Sequence, residues 1–259
     1  GINMTLSALG FSADYLVDQL LGIPGFVLFL CFRGFCQAWT AHKLGDDTAY
    51  LTGYMTMNPM KHINLIGFIF IIIFGFGFSN QVPVNTRNFK KIKRDNAIQI
   101  LSAPISGILL MIISSFLLYL LWFIGIKTGL VSSMFAPVHY FTGSYDILQI
   151  IASNTESVSI VYTAFLCIIG RTALVSIFLA VFFFLPLPGL DGYKLIANFL
   201  PYRYYSALYK IEKYSLFIFL GFIMLIEVVP GAYSIVEVPA ISLLNLFSKI
   251  FGRLFSLFI

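Results

Sequence analysis

The sequence predicts an all-α polytopic membrane protein, with about six membrane helices and a small β-hairpin or sheet after the first span. Three observations lead there. Of the 259 residues, 59% are hydrophobic and 10% are charged, whereas soluble domains carry roughly 25% charged residues. The apolar residues gather in runs close to or above the roughly 20 that a crossing needs. The basic residues gather between those runs, which is how cytoplasmic loops are marked. Mean hydropathy is +0.92. All the runs fall in one compact stretch, so 1–259 reads as a single membrane domain. The net charge of +5 belongs to the loops and gives no sign of nucleic-acid binding.

The elements follow in order. Asp14 and Asp18 interrupt the first apolar pattern, so the opening residues do not read as a cleavable signal. They read as an amphipathic surface helix with Leu6, Leu9, Leu16 and Leu20 on its apolar side. Span one is 20–41, with Gly22, Pro24 and Gly25 at its entry. Residues 48–57, TAYLTGYMTM, alternate apolar with small polar residues and read as a strand or hairpin. Span two, 63–78, is short for a crossing and carries Gly67, Gly75 and Gly77, so it either crosses barely or tucks into the protein.

The loop 79–96 is the most basic part of the chain. Arg87, Lys90, Lys91, Lys93 and Arg94 face a single acid, Asp95. It is the best cytoplasmic marker and a candidate contact for anionic lipid. Span three is 97–126. The connection 127–157 is mildly acidic and suits the outer side; His139 lies in it alone. Span four, 158–187, contains Arg171. A second cytoplasmic segment, within 188–213, carries Lys194, Arg203, Lys210 and Lys213 against Glu212. Span five is 214–229, with Glu227 near its end, and 239–259 forms a sixth helix, spanning or interfacial. Cys31, Cys36 and Cys167 form no C-x-x-C pattern and read as core residues.

The chemistry-bearing stretch is 28–46. Arg33 sits in its apolar part, where a charge is costly and ordinarily has a partner. Gln37 follows four residues on, about one turn along the same face. In zinc proteases that spacing holds the two histidines of H-E-x-x-H. Here the five positions are Arg33, Gly34, Phe35, Cys36 and Gln37. Beyond them come Ala38-Trp39, then Ala41-His42-Lys43-Leu44-Gly45-Asp46, then Met57-Asn58-Pro59-Met60-Lys61-His62-Ile63. Further on, Phe183-Phe184-Leu185-Pro186-Leu187-Pro188-Gly189-Leu190-Asp191-Gly192 forms a second signature.

In order and spacing these motifs resemble the site-2 protease family, intramembrane zinc metalloproteases. The resemblance implies a small sheet at 48–57 beside the active site, whose edge holds substrate in extended form. It implies that Asp191 occupies the position of the third zinc ligand. It also implies that Arg33, Gly34 and Gln37 occupy the positions of two histidines and a catalytic glutamate. Gly107 and Phe183 stand where the family has asparagines. A zincin needs three protein ligands, an open position for water and a base, and of these Asp191 alone remains. His42 lies about 140° round the helix from Gln37, and Cys36 has no evident companion ligands.

The sequence therefore predicts no zinc and no other cofactor. The resemblance implies that Arg33 and Asp191 both point at the former metal position, which predicts an ion pair there, with Gln37 adding a hydrogen bond. The alternative is that Arg33 snorkels and Asp191 caps the following helix. The expected function is a catalytically inactive scaffold or binding subunit for another membrane protein or a peptide. One alternative is an intramembrane metalloprotease with atypical ligands, or an inactivated mutant of an active zinc protease. Another is a transport subunit using Arg171 and Glu227. The expected location is a prokaryotic-type plasma membrane, with the 79–96 and 188–213 loops cytoplasmic.

Overall fold

A computed structural model of the chain describes residues 13–74, 78–131, 136–141 and 157–257. Ten α-helices lie within them: α1 Ala13–Lys43, α2 Thr48–Leu51, α3 Pro59–His62, α4 Leu65–Phe74, α5 Ile92–Lys127, α6 Ser157–Phe183, α7 Asp191–Phe199, α8 Tyr205–Lys213, α9 Ser215–Val228 and α10 Ser234–Ser256. Short 3-10 turns cover Thr86–Asn88, Pro137–Tyr140 and Tyr202–Tyr204. The expected surface helix at Leu6 and Leu9 lies outside the described residues, while Leu16 and Leu20 belong to α1, which begins before the expected entry.

Among the described residues, four helices are long and apolar enough to cross a membrane: Leu20–Lys43, Ile92–Lys127, Ser159–Phe183 and Ser234–Ser256. The expectation of about six is therefore corrected. Helix α4 has 10 residues and α9 has 14, so they are about 15 and 21 Å long against a hydrocarbon core of about 30 Å. The described residues at either end of 63–78 are also pinned together. Asn80 N donates to His62 O at 2.9 Å, and Asn80 Nδ2 donates to Ile63 O at 3.0 Å. A Cβ on Gly67 would meet Phe78 O at 1.9 Å, so glycine lets the chain return against its own entry.

The β-hairpin is also corrected, since no strand occurs among the described residues. The alternation in 48–57 is overridden by turn chemistry. Asp46 Oδ1 accepts from Thr48 N at 3.2 Å and from Thr48 Oγ1 at 2.5 Å, which starts a helical turn. Leu51 N and Thr52 N then bond back to Asp47 O and Thr48 O. Gly53, at φ +75°, turns the chain where other residues are strained.

The chain forms two compact units. One comprises Gly1–Phe26, Leu110–Ser176 and Ile241–Ile259. In it Phe116, Tyr119 and Phe123 of α5 pack against Phe251 and Phe255 of α10, and Tyr119 Oη and Ser248 Oγ share a hydrogen bond of 2.6 Å. Gly25 lets α1 approach α6 so closely that a Cβ would meet Thr172 Cα at 2.8 Å. The other unit comprises Val27–Leu109 and Ile177–Ala240 and contains the motif residues. Its core includes Phe78, Phe182 and Phe219, which meet edge to face.

Candidate functional site

Asp191 owes its position to the turn before it. Pro186 and Pro188 cannot continue α6, and Gly189 at φ +92° reverses the chain. Leu190 N closes that turn on Leu187 O at 3.0 Å. Gly192 then presses the start of α7 against the end of α6, where a Cβ would lie 2.0 Å from Phe184 O. Leu190 is the N-cap and Asp191 the first helical residue, so its carboxylate is free to face α1. The partly positive end of α7 favours a carboxylate at that place.

Arg33 meets it from α1. Arg33 is 4% exposed and Asp191 0%. Arg33 Nε donates to Asp191 Oδ2 at 3.1 Å, and Nη2 donates to the same oxygen. Nη1 donates to Ser79 Oγ at 2.9 Å, so three guanidinium N–H groups have acceptors. The Phe183 ring covers the cation, its centroid 4.2 Å from Arg33 Cζ. Phe183 is thus a lid on the arginine. Asp191 Oδ1 is left to Gln37 Nε2 at 3.5 Å and to Lys194 Nζ at 3.9 Å, both long for a hydrogen bond. Gly107 is buried on α5 and offers no side chain to the site.

Gly34 is filled from outside its own helix. The His62 imidazole lies where a side chain at 34 would begin: a Cβ there would sit 2.1 Å from His62 Nδ1. His62 Nε2 lies 2.7 Å from Thr56 O. A carbonyl only accepts, so Nε2 carries the proton. Nδ1 is buried with no hydrogen-bond partner. Burial pushes the His62 pKa below the usual histidine value, and the nearby Arg33 charge acts in the same direction, against the bond to Thr56 O. Both favour the neutral ring.

The donor set does not fit zinc. A guanidinium has no lone pair to give, and Asp191 is already engaged by Arg33. Among the described residues no three His, Cys, Asp or Glu side chains come together. Cys36 is half-buried, and His42 Nδ1 lies 2.6 Å from Asp47 Oδ1 at the exposed end of α1.

Ser79 and Lys194 are not among the candidates read from the sequence, and His62 enters there only as part of the motif at 57–63. Lys194 has a local signal, three residues beyond Asp191 on a helix. Ser79 reaches the site through long-range folding and has none, and the motif gives no sign that His62 fills the space beside Gly34. Arg87, Lys90, Lys91, Lys93 and Arg94 are exposed, and Arg94 Nη2 pairs with Asp95 Oδ1 at 2.8 Å. Asp46 fastens this region to α1: its carboxylate also accepts from Asn85 N at 2.8 Å and Asn88 Nδ2 at 2.7 Å.

Two curated proteins are similar to the chain. "Putative zinc metalloprotease YwhC" of Bacillus subtilis (strain 168) is 29% identical over 221 residues, covering 84% of this chain and 86% of that protein. "Putative zinc metalloprotease Rip2" of Mycolicibacterium smegmatis is 26% identical over 187 residues, covering 70% of this chain and 57% of that protein. No family model matches the chain, and no solved structure matches it. These similarities support the resemblance to a site-2-protease-like family.

Proposed function

We propose that this site-2-protease-like chain is a membrane protein without peptidase chemistry, serving as a scaffold or binding subunit for another membrane protein or a peptide. The observation that carries the reading is the grip of Arg33 Nε and Nη2 on Asp191 Oδ2. A buried carboxylate that has lost its metal strands a charge, and a hydrogen-bonded guanidinium offsets that cost. Gly34 supplies no general base, and His62 fills the space beside it. No zinc is therefore expected.

The relatives' names favour a second reading, an intramembrane metalloprotease with atypical ligands or an inactivated mutant of an active zinc protease. Elemental analysis of the purified chain separates the two. We expect less than a tenth of an equivalent of any transition metal, and no chelator-sensitive cleavage of a membrane-embedded test substrate. About one zinc per chain, with cleavage that a chelator abolishes, overturns the proposal. A plasma-membrane location with 79–96 and 188–213 on the cytoplasmic side accompanies this reading, and places Arg87, Lys90, Lys91, Lys93 and Arg94 against anionic lipid.

A further inference from the structure

The unit that holds Arg33 and Asp191 also contains a cavity of about 860 Å³. Its wall is formed by Gln37 of α1, the extended segment 81–84, the first turns of α5, and parts of α7 and α8. One side of it is the start of α5, a helix of 36 residues that is long and apolar enough to cross a membrane. Lys93, Asn96 and Gln99, all lining residues, belong to its first turns, where it passes from exposed basic residues to buried ones.

Two carboxamides in this wall have hydrogen-bonding capacity to spare. Gln99 is 5% exposed and lines the cavity, yet its side chain makes no hydrogen bond among the described residues. Gln37 is also 5% exposed, and its one bond is the 3.5 Å contact to Asp191. Neither carboxamide is sealed from solvent: both open onto the cavity, where water holds them and a ligand with hydroxyls can take its place. The wall also carries cations. Lys93 is exposed, and Lys194 is only loosely tied to Asp191, at 3.9 Å, because Arg33 already holds that carboxylate. Asn96 Nδ2 bonds Asn198 Oδ1 at 2.9 Å, and Asn198 Nδ2 bonds Lys93 O at 2.7 Å. These bonds fasten α5 to α7 and fix the wall.

We infer that this cavity binds a phosphorylated polyol of the glycerophosphate class, its phosphate between Lys93 and Lys194 and its hydroxyls on Gln99 and Gln37. Lysine holds phosphate as a point charge. A carboxamide both donates and accepts, as a hydroxyl requires, and Glu212 on the same wall is a further acceptor. The same chemistry is presented by the headgroup of phosphatidylglycerol and by free glycerol phosphate. An extended peptide would use the backbone of 81–84, but two lysines on the wall of one cavity favour the phosphate. The site shares Gln37 and Lys194 with the surroundings of Asp191, while Lys93 and Gln99, the residues varied below, make no hydrogen bond or ion pair to Arg33 or Asp191 among the described residues.

The full chain, reconstituted in nanodiscs of mixed phosphatidylcholine and phosphatidylglycerol, tests this by native mass spectrometry of retained lipid. A parallel titration uses glycerol 3-phosphate and inorganic phosphate. About one phosphatidylglycerol per chain is expected, displaced by glycerol 3-phosphate more readily than by inorganic phosphate. Binding of glycerol 3-phosphate without retained phosphatidylglycerol supports the same chemistry from a soluble source. Gln99→Leu should weaken binding about tenfold, a typical effect of one lost polar partner. It should leave the thermal midpoint unchanged or raised, because Gln99 has no internal bond to lose. Lys93→Gln should weaken binding comparably. Equal retention of both lipids without glycerol 3-phosphate binding overturns the inference. So do displacement by inorganic phosphate as readily as by glycerol 3-phosphate, binding unaffected by either variant, and a peptide retained in place of lipid.

Discussion

Arg33 and Asp191 lie 158 residues apart in the chain, yet two N–H groups of the arginine converge on one oxygen of the aspartate. The other oxygen faces Gln37 and Lys194. The pair is a closed arrangement, sealed on one side by the Phe183 ring.

Asp191→Ala should destabilise the protein by about 3–5 kcal/mol, because it leaves a buried guanidinium unpaired. Arg33→Met combined with Asp191→Leu should be close to neutral or stabilising, since well-packed apolar pairs often replace buried ion pairs without loss. Thermal denaturation in detergent measures both. Simple addition of two large costs in the double variant would show that the two residues act independently.

Gly34→Ala should cost about 1–3 kcal/mol through overpacking against His62. Helix propensity alone predicts the reverse sign, as alanine exceeds glycine by about 1 kcal/mol in a helix interior. Adding His62→Ala should remove the clash and recover most of the loss. If Gly34→Ala stabilises the protein, His62 does not occupy that space.

Acid should loosen the segment around His62. Its folded pKa is depressed, chiefly by burial, so below the unfolded value of about 6.5 the unfolded state takes up the proton first. The contribution is present above that value and is lost as pH falls towards the folded pKa. The protection of residues 54–63 against hydrogen exchange, referred to the intrinsic rate at each pH, should fall as pH drops below about 6.5, and the fall should vanish in His62→Gln. Identical exchange in both proteins would remove His62 as the cause.

Asp46 has the same sign at a lower pH. Burial raises its pKa, but bonds from Thr48, Asn85 and Asn88 outweigh this and lower it overall. Its contribution is therefore present above about pH 4 and is lost as pH falls further. Asp46→Asn should cost about 1–3 kcal/mol and open the link to Asn85 and Asn88, read as faster proteolysis near Arg87. Unchanged cleavage there would contradict the anchoring role.

The sequence made part of this site legible. The spacing of Arg33 and Gln37 and the turn before Asp191 were readable because a helix period and a proline-glycine turn are local properties. The long helices were readable from length and apolarity. The alternation of 48–57 misled, because Asp46 and Gly53 impose turns that a period-two pattern does not register. The apolar run 63–78 left two readings open, crossing barely or tucking into the protein: composition reports what tolerates lipid, but not that Asn80 and Gly67 bring both ends to one place. The meetings of Ser79 with Arg33 and of His62 with Gly34 stayed invisible for the same reason, since they occur only after the chain has folded back.

The separation of the ion pair has a consequence for biogenesis. At roughly 5–20 residues per second, a ribosome needs about 8–30 s to travel the 158 residues from Arg33 to Asp191. For that interval the first long helix must wait with an uncompensated cation, at the translocon or among headgroups. Its final depth is set only when the last signature emerges. Chains stalled before Asp191 should be held by insertion factors for much longer than chains released after it.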